Sequence, residues 1–159
     1  MARLTATVLQ GGADAFAQAE LATALQGVKG TAYKVNMLRY EFILPAVAPF
    51  PAGVIALQDL ELCLTRRTKA AMPNISDVDV IHKWAWAAQY TTLVGAGPVF
   101  SCVGFFVPQS EILIVEDPLF IQIDSTATTL TYSAVIDIDY DAVKISDIDR
   151  LSLLTLSLG

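Results

Sequence analysis

Residues 84–110 carry no charged side chain. That run forces a choice between a membrane protein and an unusually apolar globular fold. A bilayer span needs about 20 consecutive apolar residues, and the run is long enough. Its centre, however, is punctuated by Gly95, Gly97, Pro98 and Gly104, and Pro108 closes it. Gln89, Thr91, Thr92 and Ser101 add polar groups, and no Lys/Arg cluster flanks either end. A second uncharged stretch, 42–58, is broken by Pro45, Pro49 and Pro51. Gly/Pro loops between apolar strands describe both stretches better than spans do, so no transmembrane segment is expected.

An apolar surplus that is not dissolved in lipid needs other cover. Only 16% of the 159 residues are charged and the mean hydropathy is +0.53, whereas soluble domains are about a quarter charged. Copies of the chain itself are the economical cover. The length fits a single domain over 1–159, large enough to bury a core. The net charge of −6 is gathered at one end, where residues 109–159 hold nine acids against Lys144 and Arg150. A nucleic-acid binder carries a basic patch or arm, yet residues 1–28 contain only Arg3. No basic arm for nucleic acid is therefore read. No apolar segment of signal-peptide length precedes Gly11-Gly12, which favours a reducing, intracellular origin. Cys63 and Cys102 form no CxxC pair and are expected as free, buried thiols.

Alternation of apolar and polar residues predicts strands over 3–10, 32–44, 54–68, 99–107, 111–115, 119–124 and 131–145. In the 32–44 strand, Tyr33, Val35 and Met37 oppose Lys34, Asn36 and Leu38. Residues 13–26 are ambiguous and lean to extended, because the alanine-rich run lacks a clean apolar stripe. One inserted helix is expected at about 76–90, with Ser76 as N-cap, Asp77 and Asp79 in its first turn, and Ile81, Trp84, Ala85 and Ala88 on one face. A short C-terminal helix is capped by Ser146, with Asp149 where a capping box places Glu. The pattern is mainly β: an antiparallel β-sandwich, specifically a jelly roll, carrying two helices.

No nucleophile elbow, phosphate-cradling glycine loop or zinc-protease motif is present, so the chain is not read as an enzyme. His82, the sole histidine, is expected as a surface or partner-contacting imidazole. Asp137, Asp139 and Asp141 project from one face of a strand, about 7 Å apart in succession. Two readings are open: a solvated outer face, or a Ca²⁺ or Mg²⁺ site shared across a subunit boundary with Asp124. On a helix, Trp84 and Trp86 point apart, so one enters the core while the other is free to anchor an interface. Phe105 and Phe106 join them as expected subunit contacts, with the uncharged loop 95–98. Arg66, Arg67 and Lys69 read as a solvated edge guard.

The stretch 117–147, DPLFIQIDSTATTLTYSAVIDIDYDAVKISD, joins a Pro-initiated strand, a Ser/Thr-rich connection and a long alternating strand. It resembles the closing strand pair of small jelly-roll capsid proteins of non-enveloped viruses, a similarity of pattern confined to the C-terminal third. The resemblance implies a structural, self-assembling shell subunit in the virion, assembled in the host cytoplasm, with copies of itself and other virion proteins as partners. Many such proteins use a basic N-terminal arm for the genome, and this chain departs there. The competing expectation is a β-sandwich binding module that holds carbohydrate or another ligand on Trp84, Trp86 and Tyr90, with calcium at the aspartates.

Overall fold

The computed structural model describes residues 2–12, 14–25, 28–43, 55–91, 102–126 and 131–156. Within them lie β1 (Ala2–Leu9), β2 (Ala17–Leu21), β3 (Thr31–Ile43), β4 (Ile55–Thr65), β5 (Val80–Thr91), β6 (Cys102–Phe106), β7 (Leu113–Ile114), β8 (Leu119–Thr126), β9 (Ser133–Lys144) and α1 (Asp147–Leu156). Two antiparallel sheets form a β-sandwich. The first runs β1-β9-β3-β6, with β7 also paired to β3, and the second runs β2-β8-β4-β5. No helix among the described residues is long and apolar enough to cross a membrane.

Period-2 alternation sets which residues meet between the sheets. From β9 come Ala134, Ile136 and Ile138, from β4 Leu60, Leu62 and Leu64, and from β8 Leu119, Ile121 and Ile123, all buried. Strand β3 needs a correction of phase to join them. Its register with β9 slips between Val35 and Met37, so the inward set passes from Val35 to Leu38, Tyr40 and Phe42. A β-bulge re-aims side chains in this way, and uniform alternation through Met37 does not hold.

The expected helix at 76–90 is a strand. From Val80 to Thr91 the chain pairs with β4, from Ile55↔Thr91 to Leu62↔Trp84 and Leu64↔His82. Val80, Ile81, Trp84, Trp86 and Tyr90 are β-branched or aromatic and suit a pleated surface. The cap-like residues form turns instead: Val80 N–H donates to the Asp77 carbonyl at 3.0 Å and Ser76 N–H to Asn74 Oδ1 at 3.3 Å. Within the ambiguous run, Ala17–Leu21 are extended as β2, which pairs with β8. Helix α1 begins as expected. Ser146 Oγ accepts the Asp149 N–H at 3.0 Å and donates to Asp149 Oδ2 at 2.6 Å. The loops around Pro45–Pro51 and Gly95–Pro98 lie outside the described residues.

The basic trio is only in part a solvated guard: the Arg67 side chain is 42% exposed, and the other two are engaged. It lies in the 66–79 loop, where Arg66 bridges buried Glu116 at 2.5 Å and Lys69 holds Asp77 at 2.9 Å and Asp79 at 2.7 Å. The Lys69 backbone N–H donates to Gln18 Oε1 of β2, so the loop is tied to the outer face of the second sheet. Cys63, on that face, is a free, buried thiol whose pKa burial pushes up to about 12. The side chain of Cys102 is outside the described residues.

Candidate interaction face and aromatic seam

Strand pairing places Arg3 opposite Asp139 and Thr5 opposite Asp137 on one side of β9, with Met37 and Arg39 opposite the same two aspartates on the other. All stand on the outer face of the first sheet. Asp137 and Asp139 are each only 6% exposed, so the solvated-face expectation fails for both, while Asp141 is exposed. Like charges this close need compensation, and arginines provide it. Arg3 Nε donates to Asp139 Oδ1 at 2.7 Å and its Nη2 to Oδ2 at 3.3 Å. Arg39 Nη1 donates to Asp137 Oδ2 at 2.9 Å, and Thr5 Oγ1 to Asp137 Oδ1 at 2.6 Å. Asn36 Nδ2 donates to Asp141 Oδ2 at 2.9 Å.

The hydrogen bond from Arg3 holds the Asp139 carboxyl below the usual carboxylate range, and that from Asn36 does the same for Asp141. Their lone pairs serve cross-strand donors, and among the described residues no group of three His, Cys, Asp or Glu side chains is arranged to hold a metal ion. Asp124 belongs to β8 in the other sheet, directly opposite Glu61. Sequence reasoning missed Arg3, Thr5, Asn36 and Arg39 because their partners are about a hundred residues away in the chain. Only the alternating placement of Arg39 and Glu41 on β3 hinted at an outward charged row.

Around this charged centre the same face is apolar. Register puts Phe105 opposite Arg39 and Val103 opposite Glu41. Phe105 is 66% exposed, Val107 65% and Val103 39%, and Leu9 and Ile43 are exposed farther along the face. Strand β6 closes that side of the first sheet: among the described residues no strand pairs with its far edge.

Of the four residues expected to make subunit contacts, Phe105 alone is exposed. On a strand, Trp84 and Trp86 share a face instead of pointing apart, and that face is turned inward. Both pack against the core, with the Trp84 ring 5.1 Å from Phe42 and 5.8 Å from Tyr40. Phe106 also points inward, its ring stacked 4.0 Å from that of His82. His82 is half-buried, and Tyr40 Oη lies 2.7 Å from its Nδ1. The expected surface imidazole is therefore a member of the seam where β5 of one sheet meets β6 of the other. Glycine is required there: a Cβ on Gly104 would lie 2.8 Å from two atoms of the Trp84 indole.

A groove of about 380 Å³ opens on the second sheet, lined by Asp59, Glu61, Asp124, Thr126 and Trp86 among others. Lys83 Nζ bridges Glu61 at 3.0 Å beside it. The side chain of Tyr90 lies outside the described residues. No protein-family model matches the chain, and no curated protein sequence matches it at a significant level.

Proposed function

We propose that the sandwich is a jelly roll and that the chain is a self-assembling structural protein, a subunit of a viral shell. The nested order of strand pairs carries this reading. The first strand pairs with the last (β1:β9), the second with the next to last (β2:β8), then β3:β6 and β4:β5. A long hairpin rolled into two sheets generates that order, and jelly rolls built this way serve as capsid and lectin domains. The exposed apolar border of the first sheet, Val103 and Phe105 on edge strand β6 and Val107 just after it, supplies a surface for a neighbouring copy. Its charges are already paired across strands, so covering it desolvates fewer free ions than a solvated face would cost.

Light scattering and electron microscopy of the purified chain test the reading. A large, regular oligomer is expected, and a stable monomer at micromolar concentration overturns it. Phe105→Asp should weaken association while leaving the melting temperature of the fold nearly unchanged. Losing one buried aromatic side chain costs about 1.5–3 kcal/mol per contact, on the order of ten- to a hundredfold in association constant.

The second reading is a binding module, favoured by the groove beside Trp86. An aromatic wall with three carboxylates and the hydroxyls of Ser125 and Thr126 is suited to a polyhydroxylated ligand.

A further inference from the structure

We infer that His82 and Tyr40 form an acid-sensitive latch between the two sheets, and that proton uptake by the imidazole loosens the seam between β5 and β6. Tyr40 is 1% exposed, and among the described residues its hydroxyl has one hydrogen-bond partner, Nδ1 of His82 at 2.7 Å. Among those residues the hydroxyl hydrogen therefore has a single acceptor. That assigns the neutral tautomer with its proton on Nε2 and with Tyr40 O–H donating to Nδ1.

A second proton must go to Nδ1. Two hydrogens then compete for one 2.7 Å gap, and the tyrosine hydrogen has to turn away from the one acceptor it has among the described residues. The surroundings offer the new cation little. From β3 the facing titratable group is Tyr40 itself, and from β4 Leu64 is the register partner, with the Cys63 thiol on the opposite face. Burial raises the pKa of both Tyr40 and Cys63, so both stay neutral across the range in which histidine titrates. Strand β6 contributes Phe106, and the next charge along β5, Lys83, is engaged by Glu61. A ring face attracts a cation, but burial dominates and holds the imidazole below its ordinary 6.5.

The sign follows from linkage. An unfolded chain protonates histidine at the ordinary value, while the folded chain resists it. The seam's stability is therefore complete above pH 6.5 and drains away as pH falls from there through the folded-state pKa. His82 is the sole histidine, and both tryptophans, Trp84 and Trp86, lie on its own strand. Their emission reports the seam directly.

The test is the wavelength of tryptophan emission between about pH 8 and pH 5, where histidine is the side chain that ordinarily changes charge. In the unaltered chain emission should shift to the red with a midpoint below 6.5. His82→Gln keeps an acceptor for Tyr40 and cannot titrate, so its emission should stay constant, as should that of His82→Phe. Tyr40→Phe removes the orphaned hydroxyl hydrogen, so the midpoint should move up toward 6.5. No shift in the unaltered chain, or an equal shift in His82→Gln, overturns the latch. The readout works for a free chain and an assembled particle alike, so the outcome is independent of the shell reading.

Discussion

Gly104→Ala should destabilise the fold, although alanine is normally the better strand residue. The added Cβ would sit 2.8 Å from Cε2 and Cζ2 of Trp84 and 3.3 Å from its Cδ2. The indole cannot simply recoil, because it is stacked 5.1 Å from the Phe42 ring with Tyr40 beside it. Overpacking of this kind costs about 1–3 kcal/mol. Relief from the glycine's backbone entropy returns about 0.5–1 kcal/mol. The net loss is about 0–2.5 kcal/mol, near 1 at mid-range, and each kcal/mol lowers Tm by roughly 2–4 °C for a chain of this size. Thermal melting followed by near-ultraviolet circular dichroism measures it. The decisive comparison is a double-mutant cycle with Trp84→Leu. Once the indole is gone, Gly104→Ala should become neutral or mildly stabilising, a coupling of about 1–3 kcal/mol. An equal penalty in both backgrounds would refute the close contact as its cause.

Two further outcomes follow from the charged face and the groove. Arg3→Ala removes the hydrogen bonds that lower the Asp139 pKa. The pair's contribution is present above the ordinary carboxylate pKa and is lost as pH falls through the depressed value. The variant should therefore show a shallower loss of stability on acidification below about pH 4, and an unchanged acid profile would count against the pair. Calcium and simple sugars separate the two functional readings. The shell reading expects neither to shift Tm or the emission of Trp86, whereas a saturable shift with either one favours the binding module.

What the sequence made legible was local. Ser146 and Asp149 announced the start of α1 because a cap is read within one turn. The run from Ser133 to Lys144 announced β9 because alternation persists across it. The helix expected at 76–90 failed for a related reason: Ser, Asp and Asn satisfy backbone N–H groups in turns as readily as at helix N-termini. Asp77, held by Lys69, shapes a turn into β5. The aspartate row was found and its surroundings were not. Arg3 and Arg39 approach it through the pairing of β1 and β3 with β9, which one strand's own sequence does not encode.

The uncharged run takes on a different meaning once β5 and β6 are placed. It begins in β5, the last strand of the second sheet, and ends just beyond β6, the last strand of the first. Those two edges close on each other, with Trp84 against Gly104 and His82 against Phe106. A charge on the inward side of either strand would be buried at the seam, and burying an unpaired charge is prohibitive. That argument covers Trp84, Gly104 and Phe106. It leaves Val103, Phe105 and Val107 unexplained, since they point outward and water would tolerate a lysine or glutamate at each. Charged residues are the usual protection for an edge strand. Their absence from the outward side of β6 is therefore what a covering neighbour would account for, and the folded core does not.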